Sequence, residues 1–258
     1  MDKKINYTLT VKQIELINKC FLFKISSKVE GKDVYLRNGI AKTLSLLKSI
    51  ECLYAIKNYN DGWILYRALI DRLVYLYYLI DNDNFVEFDE WTNVELFEYR
   101  NNAKVDERFK RLLNDPKFKT QKGETNIYND IKSRLNWKKP RPFEVLKSKD
   151  LDFIYKYGYD YASMHTHPMS WDGSKEFYRL TGLKPNPHEI NDDDFLLKNS
   201  LLISSMIFNL ILINIHVEIP RFYLDYMSEF RKFAFGLEND FSSKFKETFE
   251  LFKKDAGY

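Results

Sequence analysis

The 17 residues from Asn199 to Ile215, NSLLISSMIFNLILINI, carry no charge, and they limit the fold more than any other part of the chain. An uncharged stretch of this length is either a helix inside a protein core or a membrane span. A span needs about 20 mostly apolar residues, with flanking basic residues to set its orientation. This run is shorter, is interrupted by Ser200, Ser204, Ser205, Asn209 and Asn214, and follows Asp192, Asp193 and Asp194. It predicts a buried helix over 192–218, stopped by Pro220, and a chain with no membrane span.

A helix that is apolar on every side must be surrounded, and the rest of the chain offers helical faces. Apolar residues recur at helical intervals over 8–27 (Val11, Ile14, Ile17, Phe21), with Thr8 or Thr10 as cap, and over 35–57 (Leu36, Ile40, Leu44, Leu47, Ile50). Residues 59–62 read as a break in which Asp61 caps the next helix, 62–81, GWILYRALIDRLVYLYYLID. That segment is apolar nearly all round and is predicted to be central. A helix of mixed charge over 86–112 covers the bundle. Pro116, Gly123, Pro140 and Pro142 turn 114–142 into loop around a short helix at 126–135. Residues 143–167 read as helix with a break, ended by Pro168. Residues 168–191, with Gly173, Gly182, Pro185 and Pro187, read as irregular. Amphipathic helices near 221–235 and 238–254 follow. No strand alternation occurs, so the expected fold is an all-α multi-helix bundle forming one domain over 1–258.

Several function classes drop out. A net charge of +3 is too small for a dedicated nucleic-acid binder, so any basic surface is local. Lys138, Lys139 and Arg141 beside Trp137 read as a solvated loop. No phosphate loop, HExxH, CxxC or GxSxG motif is present, and the DNDN run at 81–84 lacks the glycine and glutamate of a calcium loop and reads as a helix end. No metal and no cofactor is expected. Cys20 and Cys52 lack ligand-like spacing, and the N-terminal MDKKINYTLT lacks a secretory apolar run, which together point to the cytoplasm. Eighteen Tyr, 20 Phe and 4 Trp exceed what one core needs, and a homodimer is expected from that surplus.

Polar residues that could do chemistry collect in two places. On helix 62–81, Arg67, Asp71, Tyr75 and Tyr78 fall within an arc of about 80°. A guanidinium in so apolar a helix needs partners, and one carboxylate cannot use its five donors. Arg67 and Asp71 therefore form either an ion pair that joins helices or part of an anion-binding pocket. The second place is YKYGYDYASMHTHP at 155–168, where Tyr155, Tyr159, Ser163 and His167 are spaced by four, as are Tyr157, Tyr161 and His165. On a continuous helix His165 and His167 lie 200° apart, which excludes a metal pair. His167 precedes a proline and sits at a helix end, where its ring is either a pocket-facing acid–base group or a partner of the helix dipole. Ser205, Asn209 and His216 share a face of the apolar helix and are expected to bond among themselves or to line the polar site.

Arg67 with Asp71, then Tyr159, Ser163, His167 and Pro168, resemble the pattern of an uncharacterised bacterial all-helical family filed as a domain of unknown function. Its members show Arg-x-x-x-Glu on one helix and Tyr-x-x-x-Ser-x-x-x-His-Pro about a hundred residues on. Asp71 stands where that pattern has Glu, and the resemblance covers about residues 40–170. Such families are similar to the HEPN group, many of whose members are metal-independent ribonucleases in toxin–antitoxin or phage-defence systems. The HEPN spacing of Arg followed four to six residues later by His precedes none of His165, His167, His188 or His216. The resemblance thus implies a ribonuclease only if Arg67 and His167 meet across helices. In that arrangement His167 is the acid or base, Arg67 stabilises phosphorane charge, Asp71 orients Arg67, and Tyr159, Ser163, His165 and Tyr75 support them. RNA or a nucleotide is then the partner. The alternative is a non-catalytic helical module with an anion-binding or purely structural pocket, and the residues leave open whether the chain is an enzyme.

Overall fold

The computed structural model describes residues 6–27, 29–108, 123–166, 173–183, 193–238 and 242–255. Among these residues there are helices and no strand, so the fold is the all-α bundle expected. The elements are α1 (Tyr7–Ile25), α2 (Lys32–Ala55), α3 (Tyr59–Asn82), α4 (Phe85–Val105), α5 (Glu124–Arg134), α6 (Pro142–Lys147), α7 (Asp152–Ile154), a π-turn (Tyr155–Tyr159), α8 (Asp160–Met164), α9 (Ser174–Thr181), α10 (Asp193–Asn214), α11 (Arg221–Ala234) and α12 (Ser242–Asp255).

Three local expectations need correction. The cap of α1 is Asn6, whose Oδ1 accepts from the Leu9 amide at 2.9 Å, and Thr10 instead donates back to the Asn6 carbonyl. Residues 59–62 are not a break but the first turn of α3. Asn58 takes the capping position, accepting from the Asp61 amide at 3.4 Å and donating to the Asp61 carboxylate at 2.8 Å, and Lys57 makes the reversal at φ 60°. Within the stretch read as irregular lies α9, bounded by Gly173 at φ 85° and Gly182 at φ 69°. Those glycines mark the ends of a helix rather than its absence, since a left-handed residue closes a helix most easily when it has no Cβ.

The chain divides into two compact units, Met1–Tyr77 with Arg141–Tyr258, and Tyr78–Pro140. In the first, α10 buries Leu196, Leu197, Leu201, Ile203, Ile207, Phe208 and Ile211. Glycines let it approach its neighbours. A Cβ on Gly62 of α3 would stand 2.5 Å from Leu196 Cδ2, and one on Gly39 of α2 would stand 3.0 Å from Ile211 Cδ1. Residues Phe195–Asn214 are long and apolar enough to cross a membrane, with a mean hydropathy of 1.8, and the helix is partly buried, 56% of its most apolar window lying inside the protein.

Ser205 and Asn209 of α10, and His216 just beyond it, find separate partners rather than one another. Ser205 donates to the Leu202 carbonyl, Asn209 accepts from Arg231 at 3.4 Å, and His216 meets Asp33 at the start of α2. Asp33 is buried and accepts from the His216 amide at 3.2 Å while its other oxygen lies 3.3 Å from Nδ1. Behind α1, Phe21 stacks on Tyr223 of α11 at 4.1 Å, and the fully buried Tyr223 hydroxyl donates to Asn18 Oδ1 at 2.8 Å.

In the second unit α4 and α5 are joined by a Phe97–Tyr128 stack at 4.3 Å, a bidentate Arg134–Glu90 pair and a Glu98 carboxylate shared by Tyr128 and Lys132. Trp137 is not a loop side chain in solvent. It packs within an aromatic cluster, 5.3 Å from Tyr78 and 5.4 Å from Phe88, while Lys138 and Lys139 are exposed.

The Asn18–Tyr223 bond gives a stability prediction. Asn18→Ala strands a buried hydroxyl and should cost about 1–3 kcal/mol in urea unfolding. Asn18→Ala with Tyr223→Phe should cost less than the sum of the single changes, because neither partner is then left unsatisfied.

Candidate functional site

Asn60, Trp63 and Arg67 follow one another on α3 at spacings of three and four and so share a face. The segment from the π-turn to Thr166 supplies the opposing groups. His165 Nδ1 lies 3.2 Å from Asn60 Oδ1, and the buried imidazole is parallel to the Trp63 indole at 6.1 Å and edge-on to Tyr161 at 5.2 Å.

One turn along, Arg67 reaches two hydroxyls. Its Nη1 donates to Thr166 Oγ1 at 2.9 Å and its Nη2 to Tyr159 Oη at 3.1 Å, while Cζ stands 4.8 Å from the centre of the Tyr159 ring. Its Nε is buried and meets no acceptor among the described residues. Among the described residues, the groups within hydrogen-bond and ring contact of this cation are neutral dipoles and a π face, which orient it without cancelling its charge.

The acceptors are themselves fixed. Thr166 Oγ1 donates to the Ser163 carbonyl at 2.7 Å, and Ser163 Oγ donates to the Tyr159 carbonyl at 2.6 Å. Tyr155 stacks on Tyr159 at 5.4 Å with 15° between the planes. Burial, and then the nearby Asp160 carboxylate, push the Tyr155 phenol above its ordinary value. Tyr75, two turns beyond Arg67 on α3, is raised first by burial and then by the charge of Asp71.

The structure thus brings Arg67 and Tyr159 together, as the sequence pattern suggests, and adds Thr166. It places Ser163 against backbone, as a brace for Tyr159, and His165 in an aromatic stack beside Asn60. Asp71 lies one turn beyond Arg67 on α3, whereas Arg67 Nη1 and Nη2 are directed to Thr166 and Tyr159. His167 and Pro168 lie outside the described residues. Spacing by four along an unbroken helix from Tyr155 to His167 passes over Thr166. The π-turn adds a residue to the helix, and residues 165–166 already form a turn. Among the described residues, no group of three or more His, Cys, Asp or Glu stands close enough to hold a metal ion.

Tyr66, on α3 beside the π-turn, has its phenol raised well above the ordinary range by burial. An unfolded tyrosine ionises near pH 10 while the folded one keeps its proton, so this residue's stabilisation is complete below that pH and is lost as pH rises through the folded value. Chemical denaturation between pH 9 and about pH 11.5 should show stability falling above about pH 10. The fall should be less steep in Tyr66→Phe.

The model of the Family of unknown function (DUF5677) matches residues 33–179, a stretch that contains Arg67, Tyr159, Ser163, His165 and Thr166. Comparison with curated proteins gives no match, and neither does comparison with solved structures. Since the matched residues make up more than half of the chain and include the Arg67 cradle, the protein belongs to the Family of unknown function (DUF5677).

Proposed function

We propose that Arg67 is the anion-binding centre of a bacterial, cytoplasmic, HEPN-like protein, and that the anion is an RNA phosphodiester which the protein cleaves without a metal in a toxin or phage-defence role. The observation that supports this most is the cradle of Arg67. Two neutral hydroxyls and an aromatic face fix the guanidinium while leaving its charge for a ligand.

In the cleavage step the ribose 2′-oxygen attacks phosphorus as its proton passes to a base. The 5′-oxygen leaves with a proton from an acid, and a 2′,3′-cyclic phosphate remains. Arg67 stabilises the charge that gathers on the non-bridging oxygens. His167 is the acid–base residue of this reading, with Asp71 orienting Arg67 and with Tyr159, Ser163, His165 and Tyr75 in support. A homodimer without a membrane span is the assembly that accompanies it.

One observation favours a second reading. The described histidine nearest this face, His165, is buried and engaged by Asn60, Trp63 and Tyr161, which suits a scaffold more than a proton carrier. Under that reading the protein is a non-catalytic module that binds a nucleotide or another anion at Arg67.

RNA cleavage in the presence of EDTA, phosphate binding by calorimetry, and growth of bacteria expressing each variant separate the two. Arg67→Ala and His167→Ala should each lower cleavage by about 100-fold or more while the helical spectrum is kept. Phosphate bound by the wild type and lost in Arg67→Ala, with no cleavage by any form, selects the binding module. Equal phosphate binding by wild type and Arg67→Ala overturns both.

A further inference from the structure

The Arg67 cradle depends on an irregularity in the helix that faces it. Between α7 and α8 the chain makes a π-turn, Tyr155–Tyr159, and in its fourth position stands Gly158. One residue added to a turn rotates everything after it by about 100° relative to what precedes. The direction in which Tyr159 and Thr166 present their hydroxyls therefore follows from where the turn is wound and how closely it seats on α3.

Gly158 sets that seating. A Cβ at this position would stand 3.0 Å from Tyr66 Oη and 3.1 Å from Ile70 Cδ1, tighter than packed side chains tolerate without moving. Both neighbours are on α3, flanking Arg67 at 66 and 70. Gly158 is itself buried. So at this point helix backbone rests directly on α3 side chains, and the next residue in the chain is Tyr159, whose hydroxyl accepts from Arg67. The backbone φ of Gly158 is not in the left-handed region, so missing volume rather than conformational freedom is what the position requires.

We infer that Gly158 is a positioning residue for the anion site. By its lack of a side chain it admits the π-turn onto Tyr66 and Ile70, and so places the Tyr159 ring and hydroxyl on the guanidinium. The inference rests on the anion-binding reading only for its consequence for a ligand; the contact itself can be read without one.

The readout is the NMR signal of the Arg67 side chain, which the Tyr159 ring current displaces upfield, with Tyr159→Leu as the control that removes the displacement. Gly158→Ala should move the Arg67 signal toward the Tyr159→Leu position. The triple variant Tyr66→Phe, Ile70→Val, Gly158→Ala, which removes the two atoms the new methyl would meet, should restore it. A folded Gly158→Ala protein with the wild-type Arg67 signal overturns the inference, and so does a folded triple variant without it. If Gly158→Ala does not fold, the triple variant alone decides.

Inorganic phosphate is then titrated against the same signal. Loss of the oriented fork in Gly158→Ala should weaken phosphate about tenfold, the effect of one charge-assisted hydrogen bond. Phosphate that leaves the wild-type signal unmoved refutes the anion reading, while the ring-current comparison still decides the role of Gly158.

Discussion

A guanidinium held by neutral oxygens is the interaction on which the functional side of this fold depends. An arginine within an apolar helix commonly survives by pairing with a carboxylate, and the pair then has little charge left to offer. Here, among the described residues, Thr166 and Tyr159 fix the fork from the front, the Tyr159 ring lies beneath it, and Nε is enclosed without an acceptor. Such an arrangement holds only if α3 and the 155–166 segment stay in one register. The Asn60–His165 contact, the Trp63 stack and the Gly158 seat hold that register along successive turns of α3. The cradle and the packing between these helices are one structure, and a change that loosens one loosens the other.

The large features of the fold were legible because they are repeated many times in the chain. An uncharged run needs no fine reading to become a helix, here a partly buried one, and Leu36, Ile40, Leu44 and Leu47 announce a face through four separate residues. What escaped was decided by single atoms. The caps fell to Asn6 and Asn58 instead of Thr8, Thr10 and Asp61, since a cap is one side chain's geometry and several neighbours qualify by type. The glycines at 173 and 182 have the same composition whether they break a helix or bound one.

The candidate site was half legible for the same reason. Arg67 and Tyr159 stood out, one as a charge in an apolar helix and the other in a stripe of aromatic and polar residues. Thr166 did not, because the π-turn that brings it round has no compositional mark other than Gly158, and a buried glycine in a helix also occurs for reasons of packing alone. Ser163 lies beside these residues and donates to the backbone carbonyl of Tyr159. His165 was grouped by spacing with Tyr161, and the two are in contact.

The two glycine contacts of α10 bear on how the molecule comes into being. Leu196 rests against Gly62 near one end of that helix and Ile211 against Gly39 near the other, each bridging well over a hundred residues of chain. Loop closure over such separations comes late and is slow. During synthesis α2 and α3 leave the ribosome long before the helix they pack against, with their apolar faces still waiting for it. The nascent chain therefore passes through an interval of open hydrophobic surface, and the arrival of residues 193–214 is the event that ends it.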